Sequence, residues 1–204
     1  MRAVAVVPGR PESVGVVEVP APEPRPNEAL VRVRQVAFDG TDTEVLHGAH
    51  GQPPPGEEAL VLGHEALGEV VALGPQARGL AVGDLVVPLV RRPCPHPWCP
   101  ACPVGRPDFC LTGDYTERGI KGRHGFAAEF LTEEPRYLVP VPRALEPVGI
   151  LLEPLSIVVK ALEQPETAHR RHPWAPPRPN GLGPGPIGMM ADHLLRFRDL
   201  ETRD

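Results

Sequence analysis

Short apolar runs, rich in valine and partly alternating with polar residues, occupy the first 90 residues of the chain. Segments dense in proline, glycine and charge, such as PAPEPRPNE and QPPPGEE, separate them. The apolar runs are MRAVAVV, SVGVVEV, ALVRVRQVAF, LGEVVALG and GDLVVPLV. Short runs in which apolar and polar residues alternate, bounded by turn residues, are typical of β-strands. The pattern predicts a compact antiparallel β-domain, and the lack of a fixed repeat disfavours a solenoid.

A different periodicity begins near residue 144. In PRALEPVGILLEPLSIVVKALEQ the apolar residues recur at helical spacing around Pro154. This predicts a helix that is kinked at Pro154 or restarts there. The next segment, PETAHRRHPWAPPRPN, is predicted to be an exposed connector. We therefore expect one domain over residues 1–143. The helix, the connector and the start of a second domain are expected over 144–204.

The charge balance bears on which partners are expected. With 21 Lys and Arg against 26 Asp and Glu, the net charge is -5, so no basic field favours nucleic acid or an anionic membrane. The sequence contains no run of about 18 apolar residues, so no membrane span is predicted. MRAVAVVPGR lacks the apolar core and cleavage site of a signal peptide. The sequence predicts a soluble, cytoplasmic protein.

All four cysteines fall in one proline-rich segment, RRPCPHPWCPACPVGRPDFC, with the spacing C-x4-C-x2-C-x7-C. Four thiolates from one compact loop can surround a single zinc ion. Two disulfides or four unrelated thiols are the alternatives, and disulfides require an oxidising compartment. The spacing favours a zinc site formed by Cys94, Cys99, Cys102 and Cys110.

Three other features carry possible chemistry. Asp39 lies in FDGTD after a predicted strand, although a lone aspartate there is usually a turn residue. His64 and Glu65 follow Gly63 in LGHEALGEVV, where a hydrogen-bonded surface pair is the common explanation. Glu153 lies within an apolar helix and therefore needs a partner, a metal or exposure.

The order of features along the chain resembles that of the zinc-containing medium-chain dehydrogenases, and within them the glucose dehydrogenase branch. This order is Asp39-Gly40-Thr41-Asp42, Gly63-His64-Glu65, the cysteines 94–110, Glu153 and the glycine-rich segment Gly183–Gly188. The stretches VGRPDFCLTGDYTERGIKGRHGF and ILLEPLSIVVKALE resemble sugar dehydrogenases more than simple alcohol dehydrogenases. The resemblance implies a mainly β fold with some α-helix. A GroES-like β-barrel catalytic domain would be followed by a fragment of a Rossmann α/β domain.

By this resemblance, Asp39, His64 and Glu153 would hold a catalytic zinc, with Glu65 as an additional or exchanging ligand. Mixed oxygen and nitrogen ligation that leaves one position open suits a catalytic zinc site. The family more often has cysteine where this chain has Asp39. A carboxylate keeps the negative charge of a thiolate but is a harder ligand, which makes the identity of the metal less certain.

The implied reaction is oxidation of an aldose, such as glucose, at its C1 hydroxyl, with NAD or NADP as the hydride acceptor. Thr41, Glu117 and Glu153 would contact the sugar, and Thr41 would start a proton path to solvent. A local turn is the alternative for Thr41, and a solvated loop charge is the alternative for Glu117. Asp42 is expected to cap or stabilise a turn.

The four-cysteine site would serve structure and interfaces, because four protein ligands leave no position for substrate. Its first spacing departs from the C-x2-C that the family usually has. Cys94 is therefore the least certain ligand, and His96 could replace it.

The last forty residues contain a Gly-x-Gly-x-x-Gly fingerprint, formed by Gly183, Pro184, Gly185, Pro186, Ile187 and Gly188. Such glycines bring a pyrophosphate close to a helix N-terminus. The residues after them predict a helix, but Pro177, Pro179 and Gly181 disfavour a strand before them. Complete family members are considerably longer. We expect the helix to lack a packing partner, and NAD(P) binding and turnover to be weakened or lost.

Two other functions stay open at this point. One is a zinc-stabilised β-domain that acts only as a binding or assembly module. The other is a polyol or alcohol dehydrogenase of the same family. Homo-oligomerisation also stays open, since an exposed apolar interdomain face would favour association or aggregation.

Overall fold

The computed structural model describes residues 1–169, 183 and 185–201. It divides into two compact units, Met1–Ile150 and Leu151–Asp204. The strands are β1 Arg2–Val6, β2 Gly15–Glu18, β3 Ala29–Ala37, β4 Leu60–Val61, β5 Glu65–Leu73, β6 Leu85–Pro88, β7 Arg91–Arg92, β8 Thr116–Arg118, β9 Gly122–Arg123, β10 Phe130–Glu133 and β11 Leu138–Val141. The α-helices are α1 Gly40–His47, α2 Leu152–His169 and α3 Pro186–Glu201. Short 3-10 helices cover Pro11–Ser13, Cys102–Val104, Pro107–Phe109, Pro135–Tyr137 and Arg143–Leu151.

The first unit contains three sheets. The largest has the strand order β10-β3-β5-β6-β11 and is antiparallel throughout. The order β2-β1-β4 forms a second sheet, and β7-β8-β9 forms a third in which β8 and β9 run parallel. All five predicted strands are present, as β1, β2, β3, β5 and β6. The mainly β fold class is therefore confirmed.

Alternating apolar side chains from these strands form the core. Phe126 is fully buried among residues of the large sheet, including Val31, Val70 and Val86. A second cluster joins β1 and β4 to Val45 of α1. Because burial of each such side chain contributes about 1.5–3 kcal/mol, this packing holds α1 against the sheets.

The helix predicted around Pro154 differs in detail from the prediction. A 3-10 helix over Arg143–Leu151 leads directly into α2, which begins at Leu152. Pro154 therefore lies in the first turn of α2, where its missing N–H breaks no intrahelical bond, and the change from 3-10 to α-helix falls two residues before it. The helix also continues to His169, so the predicted exposed connector is wrong for residues 165–169. Its remaining residues, 170–180, lie outside the described part of the chain.

The second unit contributes α2 and α3, which contact each other. The predicted helix after the glycines is present as α3, but the expectation that it would lack a packing partner is wrong. Among the described residues of this unit no strand occurs, and the proline-rich segment before the glycines lies outside them. In the part of the chain that the structure describes, no helix has the length and apolar character needed to cross a bilayer.

Candidate functional site

The pairing of β3 with β5 brings two distant segments to one edge of the large sheet. In this antiparallel pair, Ala37 lies opposite Glu65. Asp39 follows the end of β3 and His64 directly precedes β5, so both emerge at the same end of the pair. The potential ligand atoms of Asp39, His64 and Glu65 all lie within 4.8 Å of one another. The structure thus brings together three of the four residues for which catalytic zinc ligation is predicted.

Asp39 is held in place as the N-cap of α1. Its Oδ1 accepts a hydrogen bond from the Thr41 N–H at 2.7 Å, and its own N–H donates to Asp42 Oδ2 at 3.1 Å. This reciprocal arrangement is a capping box. Asp42 is buried, and its Oδ1 accepts a hydrogen bond from the Gly63 N–H at 3.0 Å. As the sequence indicated, Asp42 caps the helix.

His64 lies between these two carboxylates. Its Nε2 is 3.6 Å from Asp39 Oδ1, and its Nδ1 is 3.6 Å from Asp42 Oδ2. The ring is buried, and Nδ1 has no hydrogen-bond partner among the described residues. A buried polar atom without a partner is costly. An imidazole flanked by carboxylates fits zinc, which fixes a histidine ligand between the metal and a supporting carboxylate.

The electrostatics of the site also favour a cation. Burial raises the pKa of Glu65 above its ordinary value, and the charges of Asp39 and Asp42 add to this effect, whereas His64 opposes it. Burial likewise raises the pKa of Asp42, although hydrogen bonds and His64 act in the opposite direction. Three acidic side chains therefore surround one imidazole. A divalent cation would offset their mutual repulsion.

A cavity of about 510 Å³ adjoins this group through Thr41. Its walls come from the first turn of α1, the loop after this helix and the β8–β9 region, and they contain Thr41, Gly48, Ala49, His50, Gly51, Gln52, Tyr115, Glu117, Ile120 and Lys121. Thr41 and Glu117, both predicted to bind substrate, therefore face one space. Glu117 lies in β8 with its side chain 15% exposed, so it is not a solvated loop charge.

The four cysteines form a second candidate metal site. All four sulfur atoms lie within 4.8 Å of one another, and Cys94, Cys99 and Cys102 are buried. Backbone N–H groups of Cys102, Leu111 and Ala101 lower the pKa of Cys99, which favours the thiolate that zinc needs. His96 instead pairs with Asp114, with 2.5 Å between Nε2 and Oδ2. The geometry therefore favours Cys94 over His96 as the fourth ligand.

Other predicted site residues belong to the second unit. Glu153 lies in the first turn of α2, and its ligation of zinc stays a prediction. Gly183 has a φ of 98°, which favours glycine, and Gly185 precedes α3, whose first turn contains Pro186, Ile187 and Gly188. Pro184 lies outside the described residues. A helix does follow the glycines, as a dinucleotide site requires, but cofactor binding stays a prediction.

Some residues around the cavity were not predicted from the sequence. Lys121, Tyr115 and Gln52 line it, and Arg91 contacts Glu117 from outside its walls. Tyr115 and Lys121 lie in the stretch that resembles sugar dehydrogenases, but no metal-ligating or catalytic motif marks any of these residues. Gln52 reaches the site through a bridge to Lys121, and Arg91 lies in a two-residue strand, so only strand pairing brings them there.

Two family models match the chain. The alcohol dehydrogenase GroES-like domain matches residues 25–143, and the glucose dehydrogenase C-terminus matches residues 146–203. Among curated proteins, the chain is 47% identical over 202 residues to a glucose 1-dehydrogenase of Methanocella arvoryzae, covering 99% of this chain and 56% of the relative. It is 44% identical to a glucose 1-dehydrogenase of Thermoproteus tenax, covering 97% and 55% of the two chains.

Solved structures agree with the family matches. A glucose dehydrogenase of Haloferax mediterranei, in complex with NADP, Zn and gluconolactone, superimposes with a TM-score of 0.87 at 44% sequence identity. The match covers 97% of this chain and 54% of that one. The chain thus spans little more than half the length of the relatives it matches.

Proposed function

The chain belongs to the zinc-containing medium-chain dehydrogenases, in the glucose dehydrogenase branch, and we propose that it forms the metal- and sugar-binding part of such an enzyme. The reaction would oxidise the C1 hydroxyl of an aldose, glucose in the first instance, to the lactone. NAD or NADP would accept the hydride. The Haloferax structure, which contains NADP, zinc and gluconolactone, supports this choice of substrate and cofactors.

One observation carries the proposal. The group formed by Asp39, His64 and Glu65 adjoins the cavity that Thr41 and Glu117 share, and Thr41 is hydrogen-bonded to Asp39. A candidate metal site and a cavity with polar walls therefore meet at one residue. This is the arrangement expected where a metal acts on a substrate hydroxyl.

Zinc would be held by Asp39, His64 and Glu153, with Glu65 as an additional or exchanging ligand. When bound, it supplies Lewis-acid polarisation of the substrate hydroxyl and lowers the pKa of that hydroxyl. The chain's own residues orient the sugar. The Thr41 hydroxyl lies at the cavity wall, 3.4 Å from Asp39 Oδ2, where it can receive and pass on a proton. The Glu117 carboxylate can accept hydrogen bonds from sugar hydroxyls.

The four-cysteine site would hold a second, structural zinc. Four sulfur ligands leave no position for a substrate. Backbone N–H groups lower the pKa of Cys99 and favour its thiolate, whereas burial raises the pKa of Cys102 in the absence of a metal charge. A cytoplasmic location and self-association are further parts of the proposal that rest on the sequence.

Metal analysis separates this function from a purely structural zinc module. We expect about two zinc ions per chain, one lost in Asp39→Ala or His64→Ala and the other lost in Cys99→Ser. One ion, sensitive only to the cysteine changes, would favour the module. Titration of the zinc-loaded chain with glucose, xylose and ethanol then tests the substrate class, because preference for ethanol over both sugars would point to an alcohol dehydrogenase.

A further inference from the structure

The Glu117 carboxylate is held from outside the cavity by one arginine. Arg91 lies directly opposite Glu117 in the pairing of β7 with β8. Its Nε and Nη2 both donate to Glu117 Oε1, at 2.9 and 2.7 Å. Among the described residues, no hydrogen bond reaches Glu117 Oε2. Arg91 therefore engages one carboxylate oxygen and leaves the other available to a ligand.

The arginine is itself fixed on two further sides. Its guanidinium carbon lies 4.2 Å from the centroid of the Tyr115 ring, and Tyr115 lines the cavity. Its Nη1 donates to the Pro107 carbonyl at 3.4 Å. A guanidinium that contacts a carboxylate, an aromatic ring face and a carbonyl oxygen at once has little rotational freedom. A lysine ammonium cannot reproduce this geometry.

The Pro107 carbonyl connects this arrangement to the cysteines. It also accepts a hydrogen bond from the Cys110 N–H, at 3.2 Å, at the end of the 3-10 helix Pro107–Phe109. Cys110 is one of the four candidate zinc ligands. The backbone next to the four-cysteine site is thus two hydrogen-bonding steps from the carboxylate in the cavity wall.

We propose that Arg91 is a positioning residue for sugar recognition, which orients Glu117 towards the sugar and ties it to the four-cysteine segment. The proposal rests on the proposed function of the cavity. Arg91 does not line the cavity, so it acts on the sugar only through the wall residues that it contacts: Glu117, which it hydrogen-bonds, and the Tyr115 ring. The pair also neutralises the charge of Glu117 without occupying Oε2, so a neutral polyhydroxylated ligand can donate to that oxygen.

A double-mutant cycle on the zinc-loaded chain tests this, with glucose affinity measured by chemical-shift titration in NMR spectra. Glu117→Gln should weaken glucose binding about tenfold, because it replaces a charged acceptor by a neutral one. Arg91→Gln should weaken it to a similar extent. The losses in the double variant should be far from additive, because Arg91 acts mainly through Glu117.

Arg136→Gln is the matched control, because Arg136 also pairs with a glutamate and lies over a tyrosine ring, but neither Glu134 nor Tyr137 lines the cavity. It should leave glucose affinity unchanged. Arg91→Lys keeps the charge without the planar fork and should bind glucose several-fold more weakly with an unchanged melting temperature. If Arg91→Gln does not fold, the glucose affinity of Arg91→Lys tests the role of Arg91.

The outcomes are distinguishable. If the wild-type chain binds glucose and Glu117→Gln weakens binding, but Arg91→Gln or Arg91→Lys does not, the role of Arg91 is overturned and the proposed function stands. Additive losses in the double variant also overturn it. Failure of the zinc-loaded wild-type chain to bind any aldose overturns the proposed function and this inference together.

Discussion

The buried carboxylate of Asp42 accepts a hydrogen bond from the Gly63 N–H at 3.0 Å. This contact ties α1, which carries Asp39 at its N-terminus, to the residue before His64. The two segments are 21 residues apart in sequence. One carboxylate thus sets the distance between two candidate zinc ligands without being predicted as a ligand itself.

Replacing Asp42 should therefore damage both stability and metal binding. Asp42→Ala removes the capping interaction and the Gly63 bond together, and we expect a loss of about 1–3 kcal/mol in the free energy of unfolding. Zinc at the Asp39 and His64 site should bind more weakly, whereas zinc at the cysteines should not. Urea denaturation and competition with a metal chelator measure the two effects. Asp42→Asn keeps an acceptor and should lose less, and unchanged zinc affinity in Asp42→Ala would contradict the assigned role.

Gly63 should tolerate no side chain. Its φ is 82°, and a Cβ atom there would lie 2.8 Å from Val36 Cγ2. Gly63→Ala combines a strained backbone, worth about 1–2 kcal/mol, with this steric contact. Gly56 is the matched control, since it has a φ of 85° and open space around its Cβ position. Thermal unfolding of both variants should show the larger loss for Gly63→Ala, and equal losses would show that the contact with Val36 relaxes freely.

At the four-cysteine site, Cys94→Ser and His96→Ala should behave differently. Cys94 lies with the other three sulfur atoms, whereas His96 pairs with Asp114. We expect Cys94→Ser to lower zinc affinity strongly and to increase hydrogen exchange across residues 94–110. His96→Ala should retain the metal. A titration with a chromogenic chelator distinguishes them, and the reverse order of affinities would identify His96 as the ligand.

Outside the candidate metal sites, Glu133 should be the buried charged residue whose substitution lowers the free energy of unfolding most. It forms ion pairs with Arg92 and Arg118, and the side chains of Glu133 and Arg92 are 4% and 5% exposed. Glu133→Gln leaves two guanidinium groups without their counter-charge, so we expect a loss of about 3–5 kcal/mol in the free energy of unfolding. Its sequence neighbour offers a control: Glu134→Gln removes a partly exposed pair with Arg136 and should cost about 0–1 kcal/mol. Similar losses of unfolding free energy in both variants would mean that the burial of Glu133 contributes little to the effect of its ion pairs.

The same carboxylate predicts a pH dependence. Burial acts to raise the pKa of Glu133, but Arg118 and Arg92 outweigh it and hold the pKa below the ordinary value of 4.5. Since the folded state lowers this pKa, the stabilisation is present above pH about 4.5 and is lost as the pH falls through the folded-state value. The stability difference between the wild-type chain and Glu133→Gln should therefore shrink on acidification. Urea titrations from pH 7 to pH 3 measure it, and a constant difference would contradict the ion-pair account.

The long strands and the amphipathic helices were predictable because their signals are local. Alternating valines predicted β1, β2, β3, β5 and β6, and the helical repeat predicted α2 and α3. The strands β4, β7 and β9 contain two residues each, which is too few for any periodicity. Pro154 misled the prediction because its position within the first turn depends on where the helix begins.

The sequence by itself determined the residue types of the candidate sites and their order along the chain, because ligand chemistry and cysteine spacing are properties of the residues themselves. Only the tertiary structure decided which of them meet. The register of β3 against β5 places Asp39 beside His64, and the pairing of β7 with β8 places Arg91 against Glu117. Strand register follows from packing and hydrogen bonding between residues far apart in sequence, and no local pattern specifies it.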